Sequence, residues 1–144
     1  MIAFEVQGVP ATKGSARAVT DKRTGRALLL ASGSKKNARD QRSWSTAVGW
    51  AAKIAMCGRS PLVGPLVVAV VFWLPRPESV IAERPIVKRD GDKLLRSTWD
   101  ALTGIAIADD GQIVEWSGAK FYADGRAPGA HITIAPAPPA RSNP

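Results

Sequence analysis

Residues 88–116 read KRDGDKLLRSTWDALTGIAIADDGQIVEW, and this stretch decides the fold. Leu95, Trp99 and Leu102 recur at helical spacing, which predicts an amphipathic helix from about Asp90 to Leu102 with those three as its buried stripe. Gly104 suits a stop just past its end. Ile105 to Gly111 is then a tight connection. From Gln112 to Tyr122 the pattern alternates, the period of a strand. Ile113, Glu115, Ser117, Ala119 and Phe121 fall on one side, with Val114, Trp116 and Tyr122 elsewhere.

Upstream lies Leu66 to Leu74, LVVAVVFWL, a Val-rich run with the composition of a strand buried on both faces. Pro75, Pro77 and Pro85 forbid a helix across 75–87. An earlier helix is predicted from Asn37, placed as its cap, to about Cys57. Trp44, Val48, Ala51, Ala52 and Ala55 give it one apolar face, and Gly58 and Pro61 end it. Before it, Ile2, Phe4 and Val6 alternate with polar neighbours and predict a first strand. Pro10 to Arg26 reads as a basic, glycine-containing loop, Ala27 to Ala31 as a short strand, and Gly33 to Lys36 as a turn. His131 to Ala135 is the last strand. Residues 136–144, PAPPARSNP, read as a disordered proline-rich tail. The expected fold is α/β, one domain over residues 1–135 with a mixed β-sheet packed against two main helices.

A chain of 144 residues with 45% hydrophobic content can bury a core. No apolar run approaches the ~20 residues of a membrane span. The chain opens directly into a strand pattern, so no export leader is expected. One cysteine, Cys57, cannot form an internal disulfide, which suits a cytoplasmic protein. It has no CxxC partner, so structural zinc is not expected. His131, the single histidine, falls in a strand, where a structural role is the ordinary one. Of the five tryptophans, Trp44, Trp73, Trp99 and Trp116 occupy core-like positions.

The net charge of +8 is unevenly placed. Residues 1–60 hold eleven Lys and Arg against three acids, whereas the remainder carries nine of each. A one-sided positive field attracts polyanions through release of condensed counterions. Lys13, Arg17, Lys22, Arg23 and Arg26, with Lys35 and Lys36, are the candidate nucleic-acid contacts.

Against this background the acids stand out. Asp90 and Asp92 sit two apart at a helix entrance, and Asp109 and Asp110 follow the helix. Magnesium takes one or two carboxylates together with waters and substrate phosphates. Asp109 and Asp110 are adjacent and point oppositely in extended backbone, so only one is expected to reach an ion. Gly91 is expected to allow a bend aiming Asp90 and Asp92 the same way. The bland alternatives are helix caps, a surface ladder of Asp92, Arg96 and Asp100 at i, i+4, i+8, and an ordinary Asp-Asp-Gly turn.

KRDGDKLLRSTWDALTGIAIADDGQIVEWSGAK resembles the core of the RusA family of Holliday-junction resolvases, whose pattern is D-x-D-[N/K]-x-x-[K/R]…D-A-L…D-D-x-Q-V. GVPATKGSARA resembles the opening of phage-borne members, and FWLPRP their central strand with its proline exit. The likeness spans roughly residues 3–134. It implies a RusA-like fold and a Mg²⁺-dependent endodeoxyribonuclease, with Mn²⁺ an alternative metal. That enzyme nicks symmetric strands of four-way DNA junctions as a homodimer, with no membrane partner, in the host-cell cytoplasm of a phage or prophage. The family's essential acids fall on Asp90, Asp92 and Asp110, with Asp109 a supporting or alternative ligand. The family's helix lysine falls on Arg96, and Lys93 replaces the asparagine after the second acid. Arginine clamps phosphate but does not surrender its proton, so Arg96, with Lys93 or Lys120, is expected to stabilise phosphate charge. The rival readings are a non-catalytic nucleic-acid-binding module and a related nuclease acting on other branched DNA.

With each of the seven basic candidates on one phosphate, junction affinity should fall by about 10³- to 10⁴-fold between roughly 50 and 200 mM salt. Titration at several salt concentrations measures this, and a flat response would remove phosphate contact as the source of binding.

Overall fold

The computed structural model describes residues 1–14, 16–31, 34–86 and 88–142. Six strands and two helices follow in the order β1 (Ile2–Gln7), β2 (Ala16–Thr20), β3 (Ala27–Ala31), α1 (Lys35–Met56), β4 (Leu66–Leu74), α2 (Gly91–Leu102), β5 (Ile113–Tyr122) and β6 (Gly129–Pro136). A 3₁₀ turn over Asp110–Gln112 leads into β5. The main sheet has the order β1-β6-β4-β5, with β4 and β5 parallel and the other pairs antiparallel. This is the mixed α/β fold expected from the sequence.

The core lies between one face of this sheet and the two helices. Leu66, Val68, Val70, Phe72 and Leu74 of β4 point into it, beside Ile132 and Ile134 of β6 and Ile2 and Val6 of β1. From above, α1 inserts Trp44, Val48, Ala52 and Met56, and α2 inserts Leu94 and Leu102. Each buried Leu, Val or Phe side chain stabilises by about 1.5–3 kcal/mol. One polar link crosses this interior. Trp44 Nε1 donates to Thr98 Oγ1 at 3.2 Å, and that hydroxyl donates to the Leu94 carbonyl at 2.9 Å. A glycine is required at the β1–β6 seam, because a Cβ on Gly129 would run into the Val6 carbonyl oxygen.

Several expectations are corrected here. β4 is buried on one face only; Val67, Ala69, Val71 and Trp73 are half-buried on the other, where no helix packs among the described residues. The stretch read as a basic loop contains β2, which pairs with β3 in a separate hairpin. The turn works because the Gly25 N–H reaches the Asp21 carbonyl at 2.8 Å with Gly25 at φ +69°. Ser34, not Asn37, caps α1, and its hydroxyl accepts from the Asn37 N–H at 3.2 Å. Gly33 of the predicted turn lies outside the described residues. The most buried side of α2 carries Leu94, Ser97, Thr98, Ala101 and Leu102, while Leu95 and Trp99 are only partly covered. The alternation of β5 is interrupted at Val114, an extra residue between the Leu66–Ile113 and Val67–Glu115 pairs. Such a bulge reverses which residues face the helices. Trp116, Gly118, Lys120 and Tyr122 therefore lie on the helix side of the sheet, with Ile113. Trp116 is not core: it is 58% exposed.

Replacing Thr98 with Val keeps the volume but leaves the Trp44 indole N–H without a partner. The expected loss is about 1–3 kcal/mol, read as a lower midpoint in urea unfolding. An unchanged midpoint would show that the link contributes nothing.

Candidate active site around helix α2

The acidic residues are positioned by α2 and by the way it lies on β5. Three contacts fix the direction. Lys120 Nζ donates to the Arg89 carbonyl at 3.2 Å. A Cβ on Gly118 would stand 3.3 Å from the Leu95 side chain. Trp116 meets Trp99 edge-on at 5.7 Å between ring centres. As β5 runs backwards from 120 to 116, α2 runs forwards from 89 to 99, so the two are antiparallel. Asp90 and Asp92 thus sit at one end of the pair. Asp109 and Asp110, just before β5, sit at the other, where the chain turns tightly around the Leu102 carbonyl. The twelve residues of α2 span about 18 Å at 1.5 Å each.

The two acid stretches therefore do not meet within one chain. Among the described residues, no group of three or more Asp, Glu, His or Cys side chains is placed to hold a metal. The donor chemistry suits a hard cation, since Mg²⁺ uses one or two carboxylates with phosphate and water. One chain supplies Asp90 and Asp92 at one place and Asp110 at another.

The four carboxylates are not equivalent. Asp109 is committed to the backbone: it accepts from the Gly111 N–H at 2.8 Å, and the Gln112 amide oxygen accepts from the Asp109 N–H at 2.9 Å, a capping box. Asp110 is exposed, with no side-chain bond described. Asp90 occupies the cap position of α2, yet its side chain makes no capping bond. It contacts Lys93 instead, at 3.3 Å, with most of its carboxylate exposed. Asp92 is exposed in the first turn. The charge ladder read from the sequence is not the arrangement found, since Asp100 pairs with Lys13 across the surface. Arg96 is exposed one turn beyond Asp92.

Gly91 takes no positive φ and a Cβ there would meet nothing, so it supplies no special bend. The unusual backbone lies just before it. Lys88 and Arg89 both have positive φ, 52° and 54°, a conformation that costs non-glycine residues and gathers at functional sites. Arg89 is the residue the sequence reading missed. One of its terminal nitrogens, Nη1, is buried and has no hydrogen-bond partner among the described residues. Burial pulls its guanidinium below the usual arginine range, partly offset by the charge of Asp40. Its side chain lines the cleft between Val9–Thr12 and the start of α1, beside Asn37, Asp40 and Lys88. A desolvated guanidinium with a free N–H is suited to meeting an anion. Its only signal in the sequence was adjacency to Asp90.

The other basic candidates are dispersed. Lys22, Arg23 and Arg26 are exposed on the β2–β3 turn, and Lys35 and Lys36 are exposed at the start of α1. Lys13 is tied down by Asp100 and by its backbone N–H to the Lys93 carbonyl at 3.4 Å. The side chain of Arg17 lies outside the described residues. Lys93 and Lys120 flank the Asp90 end directly. His131 stands on the uncovered sheet face, its Nδ1 3.1 Å from Glu5, away from the acids.

The family model Endodeoxyribonuclease RusA matches residues 9–135 of the 144. The chain belongs to the RusA family, endodeoxyribonucleases that act on Holliday junctions. Among curated proteins no individual relative matches it.

Replacing Arg89 with Met keeps the aliphatic stem and removes the desolvated charge. Thermal stability should hold or rise, while junction affinity drops by about 1.5–3 kcal/mol, the worth of hydrogen bonds to a charged group. Calorimetry and gel-shift titration read the two effects separately. Lost stability with unchanged affinity would make Arg89 a structural residue.

Proposed function

We propose that this protein is a Mg²⁺-dependent endodeoxyribonuclease, with Mn²⁺ able to substitute, that nicks symmetric strands of four-way DNA junctions as a homodimer. The observation that carries the reading is that Asp90, which sits where a cap would be, makes no backbone capping bond and contacts only Lys93, and that Asp92 and Asp110 are exposed, while Asp109 serves the backbone. Acids held for structure alone would be bonded like Asp109.

Asp90 and Asp92 of one copy, joined by Asp110 of the other, would hold the cation. When bound, it supplies positive charge on the scissile phosphate and lowers the barrier to attack by water. The chain's own residues do the rest. Arg96, one turn beyond Asp92, clamps a phosphate oxygen with its planar fork and keeps its proton. Lys93, in contact with Asp90, neutralises the acid pair before substrate arrives and can turn to phosphate afterwards. Lys120 holds the Arg89 carbonyl and so fixes the segment entering α2. Arg89 meets a neighbouring phosphate from the cleft below. The exposed bases of the hairpin turn and the α1 start grip flanking backbone. A dimer suits the substrate, because a two-fold axis places equivalent sites on the two strands that must be cut. No helix among the described residues is long and apolar enough to cross a membrane. Work on DNA in a bacterial cytoplasm, for a phage or prophage, is the setting we infer.

Subunit mixing tests the assignment. Asp90→Asn and Asp110→Asn proteins should each bind a labelled junction and fail to cut it with Mg²⁺, and the wild type should fail in EDTA. Mixed and re-equilibrated, the two variants form heterodimers with one intact composite site, so single-strand nicking should return. No recovery, with each variant alone inactive, would place all three acids in one chain's site. Full activity in Asp90→Asn would favour a non-catalytic binding role. Preference for flaps over four-way junctions would move the substrate to other branched DNA.

A further inference from the structure

We infer that Arg76 is a positioning residue for DNA binding: its guanidinium braces the connector between β4 and α2 and so keeps Arg89 facing its cleft. The inference rests on the reading of Arg89 as a phosphate contact and names the group that holds it in place.

The connector leaves β4 at Pro75 and enters α2 at Gly91. Little in its own sequence holds it. Prolines at 75, 77 and 85 deny it helical bonds. Among the described residues from 77 to 86 only Pro85 is buried. Ile81 is 99% exposed and Ile86 78%, so apolar packing does not fix the segment. Its two ends do not pack on each other either. Leu74, Pro75, Arg76 and Pro77 on one side, and Pro85, Lys88 and Arg89 on the other, enclose with Tyr122 a cavity of about 320 Å³.

Arg76 supplies in polar contacts what the segment lacks in packing. Its Nη1 donates to the Ala82 carbonyl at 2.6 Å and to the Val80 carbonyl at 3.4 Å, the carbonyls on either side of exposed Ile81. Its Nε and Nη2 donate to the two carboxylate oxygens of Asp124 at 2.9 and 2.7 Å. The guanidinium lies over the Tyr122 ring, 4.1 Å from its centre. Asp124 is a firm anchor, because the Ala123 N–H bonds the Leu74 carbonyl at 2.8 Å and ties the exit of β5 to that of β4. One guanidinium thus joins the middle of the connector to the end of the sheet, a task that uses the whole planar fork of an arginine. The Arg76–Asp124 pair is partly exposed, so it adds little stability. What it fixes is the path of the chain.

That path matters at the far end of the connector. Lys88 and Arg89 hold positive φ angles of 52° and 54°, a conformation that persists only where the surroundings impose it. Lys120 holds the Arg89 carbonyl from β5 at 3.2 Å. The other restraint is the short chain back to Ala82, which Arg76 holds. Released there, the connector can settle into the cavity and Lys88 and Arg89 can relax to negative φ. The Arg89 guanidinium would then leave the cleft it shares with Asn37 and Asp40. Asp124 also neutralises Arg76, which is therefore poorly placed to serve DNA as a charge of its own.

Gel-shift titration of a labelled four-way junction in EDTA tests this. Arg76→Met keeps the stem over Tyr122 and removes every polar contact. It should weaken binding about 10-fold or more, the scale of losing a charged hydrogen bond at Arg89. In an Arg89→Met background the same change should cost less than about 2-fold, because residues that act through one another are not additive. Asp124→Ala frees the Arg76 charge but cuts its anchor, so it too should weaken binding. Hydrogen exchange read by mass spectrometry is the second measurement. Amides from Val80 to Ile86 should exchange faster in Arg76→Met, while those of β4 and α2 keep their protection. Wild-type affinity in Arg76→Met, fully additive losses in the double variant, tighter binding by Asp124→Ala, or unchanged exchange would each overturn the inference. Should Arg89→Met itself bind junctions normally, the phosphate reading of Arg89 fails, whereas faster exchange in Arg76→Met would still show Arg76 holding the connector.

Discussion

The packing of α2 against α1 and β5 is the constraint on which the placement of this protein's acids depends. Leu94 and Leu102 enter the core from opposite ends of the helix, and Leu95 and Trp99 close over Gly118 and Trp116. A helix pinned at both ends cannot shift to bring its termini together. The acids at its entrance and those after its exit are held apart by the helix itself. Among the described residues no three acids of one chain gather to hold a metal, and the proposed pairing of two copies answers that separation.

The polar details around the helix are sorted by the same geometry. Asp109 and Gln112 satisfy each other's backbone and stop the turn before β5 from fraying. Lys120 reaches back to the Arg89 carbonyl, and Lys13 ties the N-terminal segment to Asp100. These contacts are structural. Asp90, Asp92, Asp110 and Arg96 take no comparable part in holding the fold. Strain at Lys88 and Arg89 and the unpartnered Nη1 of Arg89 gather at the same end of α2. Each costs stability, and a fold keeps such costs where they serve another purpose.

Much of the fold was legible in the residues. Helix spacing located α2, prolines cleared 75–87 of helix, and alternation found β1. The reading failed where local pattern was overruled. The all-apolar run of β4 suggested burial on both faces, yet the sheet is covered on one. The bulge at Val114 inverted β5, turning Trp116 from apparent core to exposed edge. The β2–β3 hairpin hid in polar sequence because its strands are short and its turn rests on one glycine. Within the candidate site, the residue types and spacing pointed to Asp90, Asp92 and the Asp109–Asp110 pair; only the family resemblance chose Asp110 over Asp109, and nothing local raised Arg89 above other surface bases.

By itself the sequence determined the two helices, most of the main-sheet strands, and the excess positive charge of the first sixty residues, because these depend on identity and short-range periodicity. Tertiary structure alone decided that α2 lies antiparallel to β5, that the two acid stretches sit toward opposite ends of that helix, and that β5 forms an edge of the sheet. Those are properties of how buried surfaces meet, and no spacing along a chain encodes the direction in which two packed elements run.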